Sequence, residues 1–301
     1  YIDCETIGLS QEDPVVVFRK QSTRQYVGGA GIVALHSASA GARTSILTFS
    51  GSDDQAKYAR QEVEKAGIKA TFIVDSSSNT VLKQRFRVNG KTHFRLSHFD
   101  DTAVDLALRE NFVQEAKKQM LDKDLIILSD FNYGVLDKET VEIIITEARK
   151  NKIFIAADCQ ISSQISDYLK YKGVDFATPT EHEARVTLRD NSSGLATIAQ
   201  KFQELLSTPN IFITLGSDGV LVQKMLSNQQ SYATDSIPAL ANYVEDVAGA
   251  GDSMLVYASL SLASGYDVFT AAYLASIAAG VQVSRVGNTP ISTTEITTEI
   301  K

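Results

Sequence analysis

Three short runs in the middle of the chain, DLIILSD (124–130), IFIAAD (153–158) and NIFITLG (210–216), are apolar in their centres and carry no polar alternation. Strands of that kind are covered on both faces, as in a parallel sheet between helix layers. Helical patterns separate them, among them one from about Lys138 to Lys150 with Asp137 placed to cap it. Earlier in the chain TSILTF, a helix through Gln55 to Ala66, and ATFIV repeat the alternation. The expected fold is α/β, a mainly parallel central sheet flanked by helices.

Two segments break the alternation, residues 13–27 and the stretch TVLKQRFRVNGKTHFRLSHF from Thr80 to Phe99. In the second, Lys83, Arg85 and Arg87 alternate with Leu82, Gln84 and Phe86, and Asn89-Gly90 supplies a strong hairpin turn. A small β lid on the α/β body is expected from both segments. No repeat or linker marks a boundary, so residues 1–301 read as a single domain.

With 29 Lys plus Arg against 36 Asp plus Glu, the formal charge is -7. That balance gives no bulk attraction to nucleic acid or to an anionic membrane, and favours a small-molecule partner. The longest apolar stretch, Ala271 to Val283, is shorter than the roughly 20 residues that span a bilayer. Cys4 and Cys159 belong to no CxxC pair, which suits a reducing cytoplasm. Tyr1 opens no basic-then-apolar leader, and the chain reads as trimmed at that end.

The segment most specific for chemistry is EDVAGAGDSMLVYASLSLASG (245–265), a glycine-rich turn that opens into an apolar helix from about Ser253. The first N–H groups of a helix lack partners, and glycines let an anion approach them. Asp252 in the first turn would then stand beside that anion, placed to take a proton from an attacking hydroxyl. The plainer reading is a tight turn shaped by Gly249 and Gly251, with Asp252 as a helix cap.

DVAGAGDS resembles the C-terminal signature of the PfkB, or ribokinase-like, carbohydrate kinases, usually D-T-x-G-A-G-D-S. VGGAGIVALHSASAGA (27–42) resembles their N-terminal glycine signature, TPTEHEA (178–184) their T-P-N-x-x-E-A, and LGSDGVLV (215–222) their nucleotide-side strand pair. LSDFNYGVL (128–136) and the lid-like hairpin are most similar to the bacterial heptose 7-phosphate kinases, the kinase half of bifunctional ADP-heptose synthases. The resemblance implies a ribokinase-like fold and transfer of the ATP γ-phosphate to a hydroxyl of a sugar or sugar phosphate. It also implies Mg²⁺, a monovalent cation such as K⁺, and a homodimer formed through the lid.

Under that resemblance Asp252 is the general base, with Gly249, Ala250 and Gly251 as the anion hole. Gly28, Gly29, Lys83, Arg85 and Arg95 are implied on the sugar side; Gly216, Ser217, Gly219 and Asp246 on the ATP side; and Glu183 near Mg²⁺ through water. Asp246 is also implied near the monovalent cation. The three lid cations would meet an anion, or else be neutralised by Asp100 and Asp101.

The chain departs from the family pattern at Ile32, Gln160 and Thr180, which stand where Asn, Lys and Asn are usual. Ile32 is expected to remove a sugar-hydroxyl partner. The family's first strand, ending in Gly-Asp and filling the centre of the sheet, is expected upstream of Tyr1. These departures keep two alternatives open: a binding scaffold that has lost catalysis, and a kinase for fructose phosphate, ribose or a nucleoside. None of the four histidines has metal-ligand spacing, and His182 reads as a surface helix residue.

Overall fold

The structure, a computed structural model, describes residues 1–100, 104–160, 167–226 and 231–300. In chain order it opens with strands β1 (Ile2–Leu9) and β2 (Val16–Thr23), then α1 (Ala30–Ser39), β3 (Ser45–Ser50), α2 (Asp54–Lys65) and β4 (Lys69–Val74). The hairpin β5 (Leu82–Val88) and β6 (Lys91–His98) follows, then α3 (Leu106–Gln119), β7 (Leu125–Asp130), α4 (Lys138–Lys150), β8 (Phe154–Cys159) and β9 (Phe176–Ala177). The remainder is α5 (Glu181–Leu188), α6 (Leu195–Leu206), β10 (Asn210–Thr214), β11 (Val220–Met225), β12 (Tyr232–Ile237), α7 (Ala250–Ala263), α8 (Val268–Val283) and α9 (Thr293–Glu299).

The expected α/β architecture is present. A six-stranded sheet runs β12-β11-β10-β9-β8-β7, parallel from β7 to β10 and antiparallel at β11 and β12. One face packs on α4 and α6 through Val141, Ile144, Ile198 and Phe202, and the other on α7 and α8 through Leu255, Val256, Ala271 and Ala275. Asp137 accepts from Thr140 N at 2.8 Å and so caps α4 where the sequence places a cap.

A separate four-stranded lid has the order β2-β1-β5-β6. Asn89 and Gly90 both take positive φ, 49° and 78°, as a two-residue hairpin turn requires. The lid extends beyond the segments expected for it, because β1 supplies its second strand. The register of β1 shifts between Thr6 and Gly8, and such a bulge interrupts the alternation by which a strand is read. α7 begins at Ala250, three residues ahead of the expected Ser253.

β3 and β4 pair in parallel and form a sheet of their own. Their helix-facing residue Ile46 packs with Ile32, Leu35 and Val63 of α1 and α2. β3 and β7 present facing edges that pair with no strand among the described residues, and both line one cleft.

Candidate active site

The cleft is continuous with the space under the lid at the carboxyl ends of the strands, and together they form one cavity of about 1830 Å³. Open α/β sheets bind ligands at that end. Every residue assigned to a site from sequence lines it: Gly28, Gly29, Lys83, Arg85, Arg95, Glu183, Gly216, Ser217, Gly219, Asp246, and the turn Gly249 to Asp252.

The turn is built by Gly249, the N-cap of α7, whose φ of 83° suits glycine. A Cβ there would lie 2.6 Å from Asn288 Oδ1, so a larger residue would have to displace that side chain as well as hold a strained φ. Among the described residues no side chain caps the helix, and the first N–H groups of α7 stay available to an anion. The capping reading of Asp252 is thereby set aside in favour of a carboxylate that faces the cavity.

Asp252 receives no hydrogen bond among the described residues, and desolvation raises its pKa to about 6, with Lys83 and Arg85 pulling the other way. A base poised there is ionised at neutral pH yet basic enough to accept a proton. Asp158, near the end of β8, is a site residue that the sequence reading did not single out. Burial, then the charges of Glu183 and Asp252, push its carboxyl well above the usual range, while Thr178 Oγ1 donates to it at 3.3 Å. Its position at the carboxyl end of a central strand was the available signal.

Glu183 is buried and forms a capping box with Thr180 at the start of α5. Its Oε2 accepts from Thr180 N at 2.7 Å, and Thr180 Oγ1 accepts from Glu183 N at 3.1 Å. Thr180 therefore serves as a helix cap, a role open to threonine and asparagine alike. Ile32 is fully buried against Val27, Leu35 and Ile46, outside the cavity wall. Ile32 thus contributes to the core and not to the cavity wall. Gln160 lines the cavity.

Asp246 holds the turn in shape: its carboxylate accepts from Ala248 N and from Gly287 N, each at 3.1 Å. Beside it, Gln282 Nε2 donates to Ala248 O at 3.1 Å and Gly287 O at 3.0 Å. Gln282 Oε1 and Asn288 Oδ1 are buried without donors among the described residues. On the opposite wall Gly216 and Gly219 take positive φ around a short turn. A Cβ on Gly219 would lie 2.0 Å from Ile237 O, which fixes glycine there.

On the lid, Arg85 stands opposite Arg95 and Lys83 opposite Ser97, so the cations share a face as the alternation implied. None of the three has a carboxylate within ion-pair distance among the described residues. Asp100 is engaged instead by Asn79, whose backbone N donates to it at 2.7 Å. Asp101 lies outside the described residues. Arg87, the third basic residue of β5, is buried and ion-paired with Glu245 at 3.4 Å.

His36 is buried, its pKa lowered to about 4 mainly by desolvation, while His182 is exposed on α5. Among the described residues no helix is long and apolar enough to cross a membrane.

The pfkB family carbohydrate kinase model matches residues 2–295. The chain belongs to that family. It is a carbohydrate kinase by family. It is 30% identical over 292 residues to the bifunctional protein HldE of Koribacter versatilis, a match covering 96% of this chain and 58% of the relative. A second bifunctional protein HldE, from Helicobacter hepaticus, is 30% identical over 299 residues, 97% of this chain and 59% of the relative. The chain thus spans somewhat over half the length of these relatives. Among solved structures, phosphofructokinase-2 from Escherichia coli in complex with potassium superposes with a TM-score of 0.76 at 15% identity, covering 99% of this chain and 94% of that one. Ribokinase from Giardia lamblia gives 0.76 at 16%, covering 99% and 97%. These likenesses carry the fold, which is ribokinase-like.

Proposed function

We propose that this carbohydrate kinase transfers the γ-phosphate of ATP to a hydroxyl of a sugar that already carries a phosphate, with a heptose 7-phosphate as the preferred acceptor. The observation that carries the reading is the face formed by Lys83, Arg85 and Arg95, which turns to the cavity without carboxylate partners. Cations gathered on one face repel one another unless an anion lies among them, and a sugar phosphate meets arginine with paired hydrogen bonds.

The acceptor sugar would lie against Gly28 and Gly29, where absent side chains admit a polyhydroxylated ring. ATP would enter along Gly216, Ser217 and Gly219. Asp252 takes the proton of the attacking hydroxyl, while the N–H groups at the start of α7 hold charge developing on the phosphoryl oxygens. The lid shields that step from water.

Among the described residues no three His, Cys, Asp or Glu side chains are grouped to grip a metal by themselves. The oxygen-only pair Asp158 and Glu183, whose charges oppose each other, suits Mg²⁺ bound through water and nucleotide phosphates. When bound, the ion would neutralise charge on those phosphates. The unpartnered oxygens of Gln282 and Asn288 beside Gly249 suit a monovalent cation near Asp246. Ile7, Leu9, Val16 and Phe94 are exposed on the lid, which favours a homodimer through it.

The scaffold reading loses support, since Thr180 caps a helix and Ile32 packs in the core. The deciding experiment is ADP release across a panel of free and phosphorylated sugars. The phosphorylated heptose is expected to give the highest kcat/KM, and faster turnover of free ribose or a nucleoside would overturn the acceptor while sparing the kinase. No turnover with any sugar, with ATP still bound, would return the scaffold.

The raised pKa of Asp252 makes a pH profile informative. Activity requires the ionised carboxylate, so kcat/KM should rise with pH through an apparent pKa of about 6 and level off above it. Lys83→Met removes a cation that favours the ionised form, and should move that limb to higher pH. For stability the sign is opposite: a carboxyl whose pKa is raised by folding contributes fully below its unfolded pKa of about 4, and the contribution is lost as pH climbs to about 6. A profile flat between pH 5 and 8 would remove Asp252 from the role of base.

A further inference from the structure

We infer that Phe131 and Tyr133, on the loop between β7 and α4, are positioning residues that seat the Lys83 ammonium over the acceptor pocket and thereby set affinity for the acceptor's anionic group. Lys83 Nζ lies 5.3 Å from the centroid of the Phe131 ring and 5.3 Å from that of the Tyr133 ring. Both distances are within the range of cation–π attraction. A long, flexible lysine side chain would otherwise spread its charge over many rotamers, and two rings confine it at little cost in hydrogen-bonding capacity. The ammonium keeps all three N–H donors for a ligand.

The rings are themselves held. Asn132 between them adopts φ 59°, a conformation asparagine tolerates, and its backbone N–H donates to Asp130 Oδ1 at 2.8 Å. Asp130 is buried, ion-paired with Lys170 at 2.5 Å and bonded by the Tyr171 hydroxyl at 2.7 Å. The Asn132 side chain donates to Gln160 O. Tyr133 packs on Phe99 with ring centroids 5.3 Å apart. The Phe131 ring also borders Gly29, where a Cβ would stand 3.7 Å from it. One ring therefore touches both the sugar-side glycine and the lid cation, so the anion-binding charge is placed at a set distance from the acceptor ring. Function would follow from preorganisation, since a cation already seated loses less freedom on binding.

The kinetic consequence rests on the reading that the acceptor is phosphorylated; the seating of Lys83 does not, and the test separates them. Lysines of the intact protein are ¹³C-dimethylated, which preserves their charge, and the Lys83 resonance is assigned by its loss in Lys83→Arg. It is expected upfield of the other lysines through the currents of the two rings, to return to the bulk position in the Phe131→Leu/Tyr133→Leu double variant, and to stay upfield in Phe131→Tyr and Tyr133→Phe. An unshifted resonance in the unmutated protein would overturn the inference whatever the substrate. In the kinetic arm the double leucine variant should raise KM for the phosphorylated sugar about tenfold, with kcat and KM for ATP within about twofold. The same change in a Lys83→Met background should add less than about twofold, because the rings then have no cation to hold. Additive losses would overturn the coupling. Equal KM for phosphorylated and free sugar in the unmutated enzyme, with the shifted resonance present, would sink the phosphorylated-acceptor reading alone.

Discussion

Asp252→Asn is expected to lower phosphoryl transfer by about 10² to 10⁴, the usual worth of a positioned general base, with ATP affinity nearly intact. Asparagine fills the same volume and leaves the N–H groups at the start of α7 in place, so the anion site survives while the proton acceptor is lost. Asp252 receives no hydrogen bond among the described residues, and no structural contact should be forfeited with its charge. The substitution also removes one of the charges that push the Asp158 carboxyl upward, so that group should ionise more readily. Nucleotide binding with Mg²⁺ is therefore expected unchanged or slightly tighter. Single-turnover ADP formation and equilibrium ATP binding, measured on the same preparation, separate these effects. Full phosphoryl transfer by the variant would end the assignment, and a lost nucleotide site would show that the residue acts in binding.

A second large effect is expected at the cleft between β3 and β7. Each of these strands is paired along one edge, with β4 and β8, and the facing edges pair with no strand among the described residues. The cleft wall includes Ile46, Leu47, Phe49, Phe112, Ile126 and Leu128. A β-segment laid there would satisfy both rows of backbone groups and bury apolar side chains on both faces. A chain extended ahead of Tyr1 by a strand ending in Gly-Asp should unfold about 10 °C higher, the effect of a few kcal/mol in a protein of this size. Amide exchange in β3 and β7 should slow with it. An unchanged melting midpoint with unchanged exchange would refute the central-strand proposal.

Much of the architecture was legible because it depends on local patterns. The apolar runs at 125–130, 154–159 and 210–214 are strands, Asp137 caps its helix, and Asn89-Gly90 turns its hairpin, each through chemistry confined to a few neighbours. The glycine turn ahead of Asp252 was legible for the same reason: a positive-φ residue, free N–H groups and a first-turn carboxylate are properties of one short segment.

Other features belong to the tertiary structure alone. Ile32 and Thr180 stood out as departures in a motif, yet one is core packing and the other a helix cap, distinctions that depend on what surrounds each side chain. Arg87 continues the alternation of Lys83 and Arg85, but it is buried against Glu245, 158 residues away. Lys83 meets its two rings only because the lid lies on the loop after β7. The raised pKa values of Asp252 and Asp158 likewise come from burial, and Asp158 adds charges brought close from separate strands and helices. Local sequence sets backbone geometry and the chemistry each residue can perform; desolvation, long-range ion pairing and ring contacts depend on distances through space, and those exist only once the chain has folded.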